Sequence, residues 1–297
     1  MLDGTTPSTD PRGIDHIVLA VHDLEAARTS FAAMGFTLTP PSLHPFGTGN
    51  SLAQLQGSFI ELLAVVEPDK LVPMSDAAFS FGIHNQRFLA RRQGMSMAVL
   101  TSDDAAADNT AWAARGLRTY EPVHFARQAR QPDGGTAEVA FTIAFAIDPA
   151  MPEAAFFVCQ QHRPENFWQA QYQRHPNGAR TIVGVTLAAE RPADHAGFFE
   201  TMVGPDAVRA TDGGLEITLA GGRFEVLSPT ALAERFASAA PMTDSPAFVA
   251  TTVSVADLES AARCLSDAGI DIVERAGAIE VPPDACFGML LELVSEP

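Results

Sequence analysis

One order of secondary structure recurs four times along this chain. Each copy begins with an apolar strand, continues with an amphipathic helix that stops near a glycine, and ends with further strands. The copies are predicted at residues 14–66, 95–162, 181–227 and 247–294. We therefore interpret the chain as four copies of one small strand–helix–three-strand unit, and this repeat limits the possible folds more than any single motif does.

The first and last copies are the most alike. Residues 23–28, DLEAAR, match residues 257–262, DLESAA, at the start of each helix. The pair Glu61-Leu62 in the last strand of the first copy matches Glu292-Leu293 at the end of the fourth. The two matches occur in the same order at similar spacing, which indicates homologous units.

Two linkers separate the copies. Residues 68–93 are long and mixed in composition, and we expect them to be partly helical and to cover part of the fold. Residues 169–179 contain the turn signal His-Pro-Asn-Gly. The predicted organisation is a flexible leader at residues 1–12, an N-terminal domain at 13–168 and a C-terminal domain at 180–297.

Composition excludes several functional classes. Of 297 residues, 46% are hydrophobic and 19% charged, as in an ordinary globular protein. A net charge of −17 argues against nucleic-acid binding, which needs clustered cations. No apolar run approaches the roughly 20 residues of a membrane span. The three cysteines cannot all pair and lack metal-type spacing, so a cytoplasmic location is expected.

Two polar side chains interrupt otherwise apolar strands. His16 lies in the strand GIDHIVLAV, and Glu61 lies in FIELLAV about forty residues later. A buried charge costs several kcal/mol unless a partner or a metal ion compensates it. These two residues are therefore the strongest functional indication in the sequence.

Several motifs together resemble the vicinal oxygen chelate superfamily, in particular its glyoxalase-like branch. They are DHIVLAV at 15–21, HPFGTGN at 44–50, FIEL at 59–62, CQQHRPE at 159–165 and HPNGA at 175–179. The resemblance implies an α+β, glyoxalase/dihydroxybiphenyl dioxygenase-like fold, with four βαβββ modules paired into two curled-sheet cups. It also implies a divalent metal ion in a cup (Fe, Mn, Zn or Ni) that chelates two neighbouring oxygens of a small-molecule substrate.

The resemblance places metal ligands on the first and last strands of each unit. His16 and Glu61 match these positions, whereas the second unit offers no histidine on its first strand. Its last strand offers Gln161 and His162 as further candidates. Strand alternation directs His162 away from the cup unless the strand ends or bulges before it.

Other residues are candidates for catalysis or substrate contact. His44 is a candidate acid–base alongside Glu61, or else an exposed turn residue. Thr48, Asn50 and Cys159 are candidates for contact with substrate. In the second half, Glu225 and Glu292 occupy the Glu61 position without a matching histidine, which predicts a degenerate cup. Surface positions are expected for the remaining histidines, His22, His84, His124, His175 and His195.

The sequence leaves three functions open. The first is a metal-dependent lyase or isomerase that acts on a small oxygenated metabolite. The second is a metal-free protein that binds and sequesters a ligand. The third is a ring-cleaving dioxygenase, which ranks lower because it needs two histidines and a glutamate around iron and the sequence places only one histidine well. Both a monomer and a homodimer are compatible with the sequence.

Overall fold

The computed structural model of the chain describes residues 12–132, 134–238 and 244–296. The leader expected at residues 1–12 lies outside this part, except for Arg12. The described residues contain sixteen strands and seven α-helices, and the strand–helix–three-strand order occurs four times. The expected α+β fold of four βαβββ modules is therefore confirmed.

The first half contains two of these modules. The first module comprises β1 (Ile14–Ala20), α1 (Leu24–Ala33), β2 (Ser42–Leu43), β3 (Thr48–Gln54) and β4 (Phe59–Val65). The connection that follows contains the 3-10 turn Pro68–Lys70 and helix α2 (Phe81–Leu89). The second module comprises β5 (Gly94–Thr101), α3 (Ala105–Ala114), β6 (Val123–Arg130), β7 (Thr136–Ala146) and β8 (Ala155–Gln161).

The second half repeats this arrangement after the short helix α4 (Pro164–Phe167). The third module comprises β9 (Ala179–Ala188), 3-10 turn Pro192–His195, α5 (Ala196–Val203), 3-10 turn Pro205–Ala207, β10 (Val208–Thr211), β11 (Gly214–Leu219) and β12 (Gly222–Leu227). The connecting helix is α6 (Pro229–Arg235). The fourth module comprises β13 (Ala247–Val255), α7 (Leu258–Asp267), β14 (Val273–Arg275), β15 (Ala278–Val281) and β16 (Leu290–Ser295). Among the described helices, none has both the length and the apolar character that crossing a membrane requires.

Each half forms one eight-stranded sheet. The order is β2-β3-β4-β1-β5-β8-β7-β6 in the first half and β10-β11-β12-β9-β13-β16-β15-β14 in the second. Within the first module β1 and β4 run parallel, and the first strands of the two modules, β1 and β5, pair antiparallel at the centre. The strands that carry His16 and Glu61 are therefore direct neighbours.

The two faces of the first sheet pack differently because side chains alternate along each strand. Ile17 and Leu19 of β1 face the helices and join one apolar core that extends into the second half. Phe156 of β8, for example, contacts both Phe198 and Phe248. The other face is concave, and it carries the side chain of His16 into a second core built largely from aromatic rings.

The end of α1 is clamped by the linker between the halves. The backbone at Gly35 has φ +85°, a left-handed conformation that glycine adopts without steric cost. A Cβ at this position would lie 2.9 Å from the backbone nitrogen of Asn177 and 2.5 Å from Cys264 Sγ. The Asn177 side chain also donates to the Met34 carbonyl at 2.9 Å. Glycine is therefore required here for close packing as well as for its backbone angle.

We expect Gly35→Ala to destabilise the protein more than Gly116→Ala. Gly116 ends α3 with the same φ of +85°, but a Cβ there would meet nothing within 4 Å. Left-handed strain alone costs about 1–2 kcal/mol, and overpacking adds about 1–3 kcal/mol at Gly35. Urea unfolding of both variants measures the difference, and equal losses of stability would show that the clamp contributes nothing.

Candidate functional site

The concave face of the first sheet encloses a small hollow with an aromatic wall. Its volume is about 50 Å³, which is room for only a few water molecules. Seven phenylalanines line it, at positions 46, 59, 81, 125, 141, 157 and 167. The polar lining consists of His16, His44, Asn50, Glu61, Arg127 and Cys159. A few polar groups are thus gathered within an apolar enclosure that excludes most water.

A buried carboxylate fixes the orientation of His16. The register of β1 against β5 shifts between Ile14 and His16, so Asp15 sits at a bulge and its carboxylate reaches the neighbouring imidazole. Asp15 Oδ1 lies 2.5 Å from His16 Nδ1, and Gln161 Nε2 donates to Asp15 Oδ2 at 2.9 Å. The His16 ring also stacks on Phe59 with 4.2 Å between centroids. With its proton held at Nδ1 by Asp15, His16 presents the lone pair of Nε2 to the hollow.

Glu61 is the centre of the polar cluster. Its Oε2 lies 3.8 Å from His16 Nε2, and its Oε1 lies 3.7 Å from His44 Nε2. Asn50 Nδ2 donates to Oε1 at 2.7 Å. Burial raises the pKa of Glu61, although His16 and the hydrogen bond from Asn50 oppose this shift.

His44 is buried and faces the same carboxylate. Its Nδ1 lies 2.8 Å from Thr48 Oγ1, while Asn50 Nδ2 lies 3.3 Å from its Nε2. This network assigns the proton to Nδ1 and the lone pair to Nε2. Burial above all, with the positive charge of Arg127, lowers the pKa of His44 to about 3, so the imidazole is neutral at physiological pH.

The donor set of this cluster suits a cation. His16 Nε2 and Glu61 Oε2 are both acceptors, and acceptors that face one another repel unless a proton or a cation lies between them. His44 Nε2 and Glu61 Oε1 already share the Asn50 amide as donor, and each keeps a position near the same ion. Two atoms that each bind one ion at about 2.1 Å lie at most about 4.2 Å apart, so both separations from Glu61 are within reach of a shared ion. As the side chains stand, no group of three or more His, Cys, Asp and Glu residues in the described ranges could hold a metal ion, so binding requires these side chains to move closer together.

Arg127 is a pocket residue that the sequence analysis did not identify. Along β6 the side chains alternate between half-buried and exposed, and Phe125 and Arg127 share the inward face. The Arg127 Nε has no hydrogen-bond partner among the described residues. Burial lowers the pKa of its guanidinium, and the charge of Glu61 opposes that shift. The alternation in residues 123–130 was the signal that could have revealed this residue.

The structure brings some of the expected site residues together and separates others. His16, His44, Asn50, Glu61 and Cys159 line the hollow, and Thr48 reaches it through His44. Burial raises the pKa of the Cys159 thiol well above its usual value, so the thiol is neutral.

The two remaining ligand candidates do not face the hollow. Gln161 is bound to Asp15, and the His162 ring bonds Thr142 Oγ1 at 2.7 Å beside His124. The backbone of His162 still pairs with Ala140 of β7, so strand alternation continues to direct its ring away.

Two histidines expected on the surface are buried. The expectation was wrong for His84 and His195, which are 9% and 6% exposed. His84 lies on the inner side of α2 between the helix and the first sheet, and His195 lies 3.4 Å from Asp148. His84 is covered by its own half, whereas His195 is covered by contact with the first half, and the polar composition of neither segment reveals this burial.

The second cup contains a cation that belongs to the protein itself. The Arg235 guanidinium, at the end of α6, donates two bonds of 2.6 Å to Glu292, and its Nε lies 3.7 Å from Glu225. Thr252 Oγ1 adds a bond of 2.7 Å to Glu292. The two glutamates in the Glu61 position are therefore neutralised by an arginine, which explains why this cup needs no histidine.

We expect Arg235→Ala to destabilise the protein by about 3 kcal/mol, near the low end for breaking a buried ion pair, because Arg235 is itself partly exposed. The matched control is Arg191→Ala, which removes an exposed pair with Asp194 and should cost less than about 1 kcal/mol. Chemical denaturation at neutral pH measures both. Similar small losses in the two variants would contradict the assigned role of Arg235.

Comparisons with known proteins agree with this architecture. The profile of a family described as "Glyoxalase-like domain" matches residues 14–203. No curated protein matches the chain. A hypothetical protein from Staphylococcus aureus superposes with a TM-score of 0.68 at 15% identity, over 95% of this chain and 99% of that one.

Two further solved structures share the fold at lower similarity. A variant of 4-hydroxymandelate synthase from Streptomyces coelicolor gives a TM-score of 0.55 at 12% identity, over 98% of this chain and 95% of that one. A xylose isomerase-like TIM barrel/4-hydroxyphenylpyruvate dioxygenase fusion protein gives 0.56 at 13% identity, over 98% of this chain and 50% of that one. Identities this low establish the fold alone.

Proposed function

Because this chain belongs to the glyoxalase-like domain family of the vicinal oxygen chelate superfamily, we propose that its first half is a metal-dependent enzyme for a small oxygenated compound. The observation that carries the proposal is the convergence of three acceptor groups. The Nε2 atoms of His16 and His44 face the two oxygens of Glu61 at 3.8 Å and 3.7 Å. Asn50 Nδ2 serves as donor on the His44 side, so the pair that still needs a cation or a proton between its atoms is His16 Nε2 and Glu61 Oε2.

His16 and Glu61 would hold the ion, with His44 as the third donor. When bound, a divalent ion would act as a Lewis acid that withdraws negative charge from two neighbouring substrate oxygens. Asp15 supports this role of His16, because a ligating imidazole usually donates its other N–H to a carboxylate or carbonyl. Gln161 in turn holds Asp15, so it acts through the ligand without being one.

Glu61 is also the group placed to move a proton. Burial raises the pKa of Glu61 above that of an exposed carboxylate, so its ionised form is the stronger base. In a lyase or isomerase reaction, Glu61 Oε2 would accept a proton from the carbon beside a carbonyl group. Asn50 keeps the carboxylate in place by its bond to Oε1.

The remaining wall determines which substrate fits. Phenylalanine rings favour an apolar or aromatic body, and the unpartnered Nε of Arg127 is available to a substrate oxygen. The hollow of about 50 Å³ is smaller than such a molecule, so binding requires some rings to rotate. Closure of these rings over the substrate would exclude water from the reacting atoms.

An iron-dependent oxygenase is the second candidate. His16, His44 and Glu61 together provide two histidines and one carboxylate, the ligand type of many non-haem iron oxygenases. The sequence indicated His16 as the one well-placed histidine. The structure adds His44, which is buried beside Glu61, and this second histidine favours the oxygenase. Two of the similar solved structures are named a 4-hydroxymandelate synthase and a dioxygenase fusion protein, which is consistent with it.

Metal titration tests the proposal directly. Protein stripped with a chelator and titrated calorimetrically with Zn(II), Mn(II), Ni(II) and anaerobic Fe(II) should bind one ion per chain. His16→Ala and Glu61→Gln should abolish binding, whereas His162→Ala should retain it, because that imidazole points away from the hollow. If no ion binds, or if the His16 and Glu61 variants bind as the wild type does, the metal-dependent reading fails. A metal-free protein that still binds aromatic compounds would be a sequestering protein.

Asp15→Asn should weaken metal binding by roughly 10- to 100-fold, because it removes the carboxylate that fixes the tautomer and ring orientation of His16. Gln161→Ala, which leaves the Asp15 charge in place, should have a smaller effect. The same titrations measure both. An effect of Gln161→Ala as large as that of Asp15→Asn would assign the orientation of His16 to the network as a whole and contradict a role for the carboxylate.

Oxygen uptake separates the two candidate reactions. The oxygenase alternative predicts consumption of O2 that depends on both Fe(II) and substrate, whereas proton transfer predicts none. An oxygen electrode with the Fe(II)-loaded protein and a panel of aromatic 2-oxo and 2-hydroxy acids makes this measurement.

A further inference from the structure

A second cavity lies further along helix α2, towards its C-terminal end, than the hollow. Phe81 at the start of the helix faces the hollow, while His84, Arg87 and Phe88 line this second space. Its volume is about 340 Å³, several times that of the hollow and within the range of about 300–1,000 Å³ found for ligand pockets. No step proposed for the hollow uses it.

Arginines concentrate at this cavity in a chain of net charge −17. Arg87, Arg91 and Arg118 all line it. Arg91 and the nearby Arg92 are paired with Glu153 at 3.0 Å and 3.2 Å. Asp148 also lines the cavity, 3.4 Å from His195, and Arg87 and Arg118 are the two lining cations that no carboxylate of the described residues contacts.

Neither of these two arginines has a carboxylate partner among the described residues. Arg87 Nη1 reaches only Met74 Sδ, at 3.9 Å, and Arg118 lies over the ring of Tyr120. Arg87 is in the last turn of α2, where any cation is favoured by the helix dipole. Arg118 lies after α3, so the helix dipole of α2 does not explain why a second arginine without a carboxylate partner lies at this cavity.

A buried acceptor points to the same conclusion independently. His84 lines the cavity, is 9% exposed, and its Nε2 has no hydrogen-bond partner among the described residues. Its other nitrogen bonds to the backbone of Ser96, and burial lowers the pKa of the imidazole to about 4. The ring is therefore neutral at physiological pH, and its Nε2 is an acceptor that lacks a donor. An unsatisfied buried acceptor costs free energy that a ligand hydroxyl or N–H would recover.

We propose that this cavity binds a small organic anion. Its carboxylate meets Arg87 and Arg118, and a hydroxyl or N–H group at its other end donates to His84 Nε2. The apolar body lies against Phe79, Phe88 and Tyr120. Guanidinium–carboxylate bonds provide the affinity, and the His84 contact selects ligands that carry a donor. This site is separate from the metal-dependent reaction and does not depend on it.

Calorimetric titration with 4-hydroxybenzoate tests the proposal. The wild type should show saturable binding at millimolar concentrations, weaker binding of benzoate, which lacks the hydroxyl donor, and little binding of the uncharged 4-hydroxybenzamide. The double variant Arg87→Gln/Arg118→Gln should weaken 4-hydroxybenzoate binding by roughly tenfold or more, because charge-assisted bonds are lost. Both side chains are exposed, so the fold should be unaffected, which thermal melting verifies.

Two variants serve as controls for this experiment. Arg130→Gln removes the same charge from an exposed position on β6 that does not line the cavity, and Arg127→Gln removes the cation of the hollow. Both should bind 4-hydroxybenzoate as the wild type does.

His84→Phe should reduce the advantage of 4-hydroxybenzoate over benzoate without weakening benzoate. The proposal is overturned if the wild type shows no saturable binding, if the double variant binds normally, or if Arg127→Gln alone abolishes binding, since the anion would then occupy the hollow.

Discussion

The hydrogen bond between the Asp15 carboxylate and His16 Nδ1 determines the chemistry of the hollow. It depends on a bulge in β1 that turns two consecutive side chains toward the same region. With Nδ1 protonated, Nε2 becomes an acceptor that faces Glu61 across 3.8 Å. The opposite tautomer would turn a lone pair of Nδ1 to the Asp15 carboxylate and leave no lone pair on Nε2 for a cation. The proposed metal binding and the proposed proton transfer both follow from this one assignment.

The two cups show alternative solutions to the same electrostatic problem. Both contain glutamate on a buried strand, and a buried carboxylate requires compensation. In the second cup Arg235 provides it from within the chain, and α6 places the guanidinium between Glu225 and Glu292. In the first cup the equivalent connection forms α2, which supplies Phe81 to the hollow instead of a cation. The C-terminal cup is thereby stabilised by its own arginine, whereas the N-terminal cup is the one that we propose to bind a ligand.

Much of the architecture was predictable because it depends on periodicity. The four modules follow from strand runs, amphipathic helices and glycine stops, and the buried strands around His16 and Glu61 identify two residues of the site. The other residues of the site could not be predicted, and each has its own structural reason. Asp15 enters the site through a bulge, which leaves no pattern in a single sequence, and His44 lies in a segment that reads equally well as an exposed turn. Arg127 lies on β6, a strand that was not predicted, and His162 was considered only in case its strand ended early.

The protonation state of His16 in the metal-free protein is the most direct test of this account. Nitrogen-15 NMR of ¹⁵N-histidine-labelled protein, with His16 assigned by comparison with His16→Ala, distinguishes a protonated ring nitrogen from one with a free lone pair. We predict a proton on Nδ1, a free lone pair on Nε2, and a large change of the Nε2 signal when Zn(II) is added. A proton on Nε2, unchanged by Zn(II), would contradict it.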